Sequence, residues 1–183
     1  MTAPQELRTA RLLLRSLERS DIPDLVRLAG AREVAATTIN IPHPYTASDA
    51  EGFIAHAETE AAAGRSAVFA VIIASGRELC GAVGLTITPA SHRAELGYWI
   101  GVPYWSRGFA TEAASAALQF GFDTLGLRKI HASHFAGNVA SQRVLEKIGM
   151  RHEGCFHAHV LKWDQEIDLE NYGMPACEFC NKK

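Results

Sequence analysis

Residues 98–111 read Tyr-Trp-Ile-Gly-Val-Pro-Tyr-Trp-Ser-Arg-Gly-Phe-Ala-Thr, and this stretch restricts folding more tightly than any other. It begins inside a run that the alternation of apolar residues marks as a strand over 92–100. It ends in the Ala-rich segment 111–122, a strong helix former that Gly126 terminates. Between them Gly101, Pro103 and Gly108 make a turn. A strand delivered through a glycine loop into a helix must lay that helix against a sheet, so the chain is expected to be α/β. The same recipe makes an anion site. The first N–H groups of a helix have no intrahelical partner, and the helix dipole adds about half a positive charge there. Gly108 lets an anion approach the backbone, Arg107 can add a charge-assisted hydrogen bond, and small Ala110 and Thr111 leave room for a diphosphate. The loop lacks the Gly-Lys-Ser/Thr ending of a Walker loop and the three-glycine spacing of a dinucleotide fingerprint.

The rest of the chain supplies the sheet and its other helices. Residues 12–16 read as an opening strand. Ser20 and Asp21 cap a helix that carries Pro23 in its first turn and stops near Gly30. Residues 37–47, with Asn40, Pro42 and Pro44, read as loop. Ser48 and Glu51 fit a capping box for a helix to about Ala63. Residues 66–73 and 79–88 are β-branched runs joined by Ser75-Gly76, a hairpin. Residues 129–135 form a strand, 139–148 a helix with Asn138 as cap and Gly149 as stop, and 151–172 two further strands with a turn at Asp164-Gln165. Strands first in a meander and later alternating with helices indicate a mixed sheet.

Composition narrows the partners. The 183 residues are 48% hydrophobic and 21% charged with net charge −2, so nothing favours nucleic acid or an anionic membrane. No apolar run is long enough to span a bilayer and no leader pattern opens the chain, so a cytoplasmic protein is expected. Of Cys80, Cys155, Cys177 and Cys180 only the last two are close. They lack a second C-x-x-C, and His152, His157 and His159 are the only nearby complement, so no metal is expected.

The run 95–113 (ELGYWIGVPYWSRGFATEA) closely resembles the acetyl-CoA-binding segment of the GNAT superfamily, in particular its ribosomal-protein N-terminal acetyltransferase branch. Residues 138–150 (NVASQRVLEKIGM) resemble the second conserved motif of that branch, and 9–15 (TARLLLR) its first strand. The resemblance implies one N-acetyltransferase domain over 1–183, with 173–183 as a polar tail. It implies a mixed, mostly antiparallel sheet splayed after the fourth strand, with about four flanking helices. Acetyl-CoA would be the acyl donor. Backbone groups of Ile100 and Val102 would pair with the pantetheine arm, and amides around Arg107, Gly108, Phe109, Ala110 and Thr111 would hold the pyrophosphate. Asn138 would reach the pantetheine from the other side. Trp105 stands where the family more often has Gln or Arg.

Acetyl transfer to an amine needs a base for the ammonium proton and an acid for the departing thiolate. Glu95 is the expected base, because an otherwise apolar run would desolvate it and raise its pKa. The family's tyrosine acid corresponds to Leu145, so Ser141, used in the ribosomal branch, is the expected acid. The glutamate that branch carries in the late strand corresponds to Val160, flanked by His157 and His159 as alternative bases. His131 and His134 differ by an odd number and so point to opposite faces. The acceptor is an amine, either a small molecule or a protein N-terminus, met by Thr38, Asn40, His43 and Tyr45, in a monomer or homodimer. The alternative is a non-catalytic acyl-CoA-binding sensor or interaction module.

Overall fold

The computed structural model describes residues 6–180. Its centre is an eight-stranded sheet of β1 (Leu7–Arg8), β2 (Leu12–Arg15), β3 (Ser66–Ile73), β4 (Glu78–Thr88), β5 (Arg93–Ile100), β6 (Lys129–Phe135), β7 (Arg151–Lys162) and β8 (Gln165–Pro175), in the order β1-β2-β3-β4-β5-β6-β8-β7. Among the described residues only the β5–β6 pairing is parallel. The helices are α1 (Ile22–Ala29), α2 (Arg32–Ala35), α3 (Ala47–Ala62), α4 (Phe109–Asp123), α5 (Val139–Lys147) and α6 (Ala176–Cys180). The sheet and the four longer helices match the expectation; α2 and α6 are single turns the sequence does not mark.

Each face of the sheet has its own core. On one side α4 lays Ala113, Ala114, Ala117 and Leu118 against Leu12, Phe69, Leu85, Leu96 and Ile130, with Leu145 of α5 completing the layer. The small alanines let α4 sit close to the strands. On the other side Leu25 and Leu28 of α1 and Ala50 and Ile54 of α3 cover Ala70, Ile72 and Leu79. Strand alternation assigns residues to these faces: Ala94 and Leu96 are buried under α4, while Glu95, Gly97 and Trp99 face the α1–α3 side.

Two local expectations are corrected. The α3 capping box is built from Thr46 and Asp49, with the Asp49 carboxylate accepting from Thr46 N at 2.7 Å and Thr46 Oγ1 accepting from Asp49 N at 3.3 Å. The helix therefore starts at Ala47, two residues before a start after Ser48, and Ala50 of its first turn is buried in the core. The polar tail over 173–183 also fails where it is described. Gly173 and Met174 are buried in β8, and Phe179 of α6 stacks on Phe122 of α4 at 4.8 Å. Residues 181–183 lie outside the described residues. No described helix is long and apolar enough to cross a membrane.

Candidate active site

Parallel strands β5 and β6 pair only where Arg93, Ala94 and Glu95 meet Lys129, Ile130 and His131. Beyond Glu95 they part, and β5 runs on to Ile100 with β4 as its one neighbour. The extra two-residue β1 makes this the fifth strand rather than the fourth. Gly101 N donates to the Cys80 carbonyl at 2.8 Å, and antiparallel bonding alternates from that point. Leu96, Tyr98 and Ile100 therefore turn their backbone groups away from β4, toward the gap. The Ile100 carbonyl is taken by the Trp105 indole, whose Nε1 donates to it at 2.6 Å. Of Ile100, only the N–H side of that edge remains to pair with another molecule. Val102 opens a single 3-10 turn over Val102–Tyr104, and its carbonyl accepts from Trp105 N at 3.2 Å. Trp105, a departure from the family's usual residue, thus closes the loop on itself.

The loop then enters α4 through Ser106 and Gly108, both at positive φ (61° and 79°). Gly108 is the N-cap and supplies no side-chain cap, while the first intrahelical bond runs from Glu112 N to the Gly108 carbonyl. The amides of Phe109, Ala110 and Thr111 are thereby left without helical partners at the positive end of a 15-residue helix. Arg107 is exposed, its guanidinium 5.6 Å over the Tyr104 ring. A carboxylate at this end would oppose an anion, and Glu112 stands in the first turn. It is neutralised locally: Arg11 donates to it from N at 2.8 Å and Nε at 2.7 Å, and Thr9 Oγ1 at 2.6 Å. Burial pushes the Glu112 carboxyl up, but the hydrogen bonds from Thr9 and Arg11 outweigh it and hold it below the usual range. Arg11 also donates to the Arg107 carbonyl at 2.9 Å, tying β2 to the loop.

Across the gap, Asn138 caps α5 by accepting from Ser141 N at 3.1 Å. The Ser141 hydroxyl lies 2.8 Å from that of Tyr98, which stands on the α4–α5 side of β5. Burial pushes the Tyr98 phenol up to about 12, against a smaller opposing effect of the Ser141 bond. Sequence reasoning placed Tyr98 only in an apolar run. Its signal was its even offset from Leu96, which assigns it to the cofactor side, but its partner is 43 residues away.

The gap opens into a cavity of about 570 Å³ that includes Glu95, Gly97 and Trp99 on β5, Thr86, Gly84 and Ala82 opposite them on β4, Ser133, His134 and Phe135 of β6, and Ser141 of α5. Residues 37–42 with Tyr45, Asp49 and Phe53 form the outer wall. Lys162 Nζ pins that wall by donating to the Ile41 carbonyl at 2.8 Å and to Ile39 at 3.3 Å. Thr38, Asn40 and Tyr45 thus line the cavity as expected, whereas His43 turns to the Gly30 carbonyl and the Trp163 ring.

Glu95 lines the cavity and is exposed, so the apolar neighbours around it in sequence do not bury it. Those neighbours, Leu96 and Tyr98, point to the opposite face. Neither His157 nor His159 lines the cavity. His157 Nδ1 is 2.9 Å from Asp168, and His159 packs on Phe156. Cys155, His157 and Asp168 bring three donors within 4.8 Å of one another, one short of the four in a structural zinc site. His134, which sequence reasoning set aside, is buried and lines the cavity. Its Nδ1 sits 2.9 Å from the Phe135 carbonyl, and its Nε2 has no partner among the described residues.

Comparison with known proteins places this architecture. The profile of the Acetyltransferase (GNAT) domain matches residues 11–151. The chain belongs to the GNAT acetyltransferases. It is therefore an N-acetyltransferase with acetyl-CoA as acyl donor. It is 31% identical over 162 residues to the uncharacterized N-acetyltransferase YnaD of Bacillus subtilis (strain 168), covering 86% of this chain and 91% of that one. With the uncharacterized N-acetyltransferase YoaA of the same organism it shares 36% identity over 99 residues, a match spanning only 54% of this chain and 56% of YoaA. Among solved structures, a GNAT-family acetyltransferase from Bacillus anthracis superposes with TM-score 0.84 at 27% identity, covering 95% of this chain and all of that one (100%). RimJ from Mycobacterium smegmatis, in complex with CoA-disulfide, has the same fold at TM-score 0.84 and 22% identity, over 91% of this chain and 83% of RimJ. So has a ribosomal-protein-S5-alanine acetyltransferase from Vibrio fischeri, at 0.82 and 18%, over 94% and 97%.

Proposed function

We propose that acetyl-CoA threads the gap between β5 and β6 and that a primary amine, small molecule or protein N-terminus, arrives as the cation, is deprotonated and attacks the thioester from the α1–α3 side. The observation that carries this reading is the parting of the two strands after Glu95, which joins the two faces of the sheet at one opening. The pyrophosphate sits on the free amides of Phe109, Ala110 and Thr111, with Gly108 and Arg107 beside it. The pantetheine arm pairs with the open edge of β5 at Tyr98 and Ile100, near Val102, and Asn138 approaches from α5. Such positioning turns a bimolecular encounter into an oriented one.

Residue parity then separates the two proton-transfer tasks. Glu95 differs from Tyr98 by an odd number and faces the acceptor side, so it is positioned to take the proton of the attacking amine. Ser141, on the cofactor side, is the proton donor toward sulfur. The amine nitrogen bonds to the carbonyl carbon, the C–S bond breaks with its electron pair going to sulfur, and the products are an acetamide and CoA thiol. Among the described residues the lining includes two carboxylates, Asp49 and Glu95, and neither lysine nor arginine. Hydrogen bonds from Thr46 hold Asp49 below the usual carboxyl range, so it is ionised. An acidic cavity with aromatic walls at Tyr45, Phe53 and Trp99 favours an amine on an apolar body, with no anionic group near its nitrogen.

The test is thiol release from acetyl-CoA over a panel of cationic amines, amino acids and N-terminal peptides, beside calorimetric titration of acetyl-CoA. Binding in the micromolar range and turnover on cationic amines, with kcat lowered about 100-fold by Glu95→Gln at unchanged acetyl-CoA affinity, are expected. Binding without turnover on any amine would overturn the reading, and preferred turnover of anionic amines would overturn the acceptor class.

A further inference from the structure

Leu145 of α5, where the resemblance would put a tyrosine acid, is fully buried and unable to supply a proton. One turn earlier on the same helix stands Ser141, on the same face. A serine hydroxyl by itself is a poor acid toward a thiolate, because its own alkoxide is far more basic than the sulfur it protonates. What distinguishes this site is the phenol behind the serine. The Tyr98 hydroxyl lies 2.8 Å from Ser141 Oγ and 3.3 Å from the Ser141 carbonyl, and both residues line the cavity. A phenol has one hydrogen to give, and the hydroxyl is the nearer acceptor. When Tyr98 donates to Oγ, the serine hydrogen is free to point into the cavity. The Ser141 N–H is held by Asn138 meanwhile, so the serine is fixed from two sides.

We propose that Tyr98 and Ser141 form a two-hydroxyl relay that delivers the proton to the departing CoA sulfur, with the strand supplying the phenol that helix α5 lacks. As the C–S bond breaks, sulfur takes the Ser141 hydrogen and Ser141 Oγ takes the Tyr98 hydrogen. The phenolate left behind recovers a proton from water entering the cavity, and the two protons the ammonium gives up, one before attack and one as the amide forms, leave by Glu95. Atoms and charge balance with no further reactant. A phenol is protonated at neutral pH, so the relay is loaded before each turnover, and burial, which pushes the Tyr98 pKa up to about 12, favours rapid reprotonation of the phenolate. Tyr98 acts through Ser141 and is a positioning and relay residue; Ser141 is the group that meets the sulfur.

The inference rests on the acetyl-transfer reading above, and the experiment separates the two. The full chain is compared with Tyr98→Phe and with a chain carrying a fluorinated, more acidic tyrosine at position 98. Tyr98→Phe is expected to lower kcat about 10- to 100-fold with little change in KM for acetyl-CoA. The fluorinated chain keeps the hydrogen bond and the shape, so a mere prop would leave its pH profile unchanged. The relay instead gives it a new alkaline limb in kcat at the lowered phenol pKa. Tyr45, Asp49, Glu95 and His134 also line the cavity and are common to all three proteins, so the comparison isolates position 98. If Tyr98→Phe fails to fold, the fluorinated chain alone decides. Full activity of the wild type with an unshifted profile in the fluorinated chain would overturn the relay only. Absence of turnover in the wild type would overturn the relay together with the function.

Discussion

Asn138 shows how one side chain can serve structure and chemistry at once. Its Oδ1 accepts from Ser141 N and so closes the first turn of α5, and the same contact fixes where the Ser141 hydroxyl stands. Asn138→Ala is expected to cost about 1 kcal/mol, read as a fall in Tm of about 2–4 °C for a chain of this size. Asn138→Asp keeps the cap and is expected to restore Tm while leaving acetyl-CoA affinity reduced. If calorimetry finds affinity restored as well, Asn138 is a cap alone. This residue was legible in the sequence because a cap is defined by its immediate successors. Tyr98 was not, because nothing along the chain ties it to Ser141. Glu95 was legible as a cavity residue but misjudged in its surroundings: the apolar residues beside it in sequence lie on the other face of the strand.

At the scale of elements, most boundaries followed from periodicity and punctuation, and the errors have local causes. Residues 46–51 hold two overlapping cap patterns, and the reciprocal hydrogen bonds form between Thr46 and Asp49. The β7–β8 hairpin carries bulges at His152/Gly154 and Phe156/Val160, which no alternation of apolar residues announces. The second bulge brings His157 and the backbone N–H of Ala158 onto Asp168, at 2.9 and 2.7 Å. The Asp168 hydrogen bond and charge raise the His157 pKa, and the Ala158 and His157 contacts lower that of Asp168. The signs define a window. The His157 contribution is present below its unfolded value of about 6.5 and is lost as pH rises through the raised folded value. The Asp168 contribution is present above about 3.9 and is lost as pH falls through the lowered one. NMR titration of the His157 imidazole is expected to give a value above that of a free histidine, returning toward it in Asp168→Asn. The pair is exposed, so the global Tm is expected to move little with it.

For the whole molecule, the chain closes on itself where the sequence suggested it would trail away. β8 runs between β6 and β7, and α6 returns Phe179 onto Phe122, at the back of α4 and far along that helix from the anion-binding end. Ending the chain after Pro175 is expected to lower Tm by several degrees through loss of that aromatic contact. It is expected to leave KM for acetyl-CoA unchanged at a temperature where both forms are folded. A rise in KM would show that α6 supports the α4 amides. The sequence by itself determined what is encoded locally: the strand–loop–helix with its unpaired amides, the Asn138 cap, and the alternation that puts Glu95 and Tyr98 on opposite faces. Tertiary structure alone decided which distant segments meet. It set the cavity between residues 37–53 and the two parted strands, the exclusion of His157 from that cavity, and the pairing of Tyr98 with Ser141. Hydrophobic periodicity is read between neighbours along one element. Side chains 40 or more residues apart come together only through strand order, register and the place where two strands stop pairing.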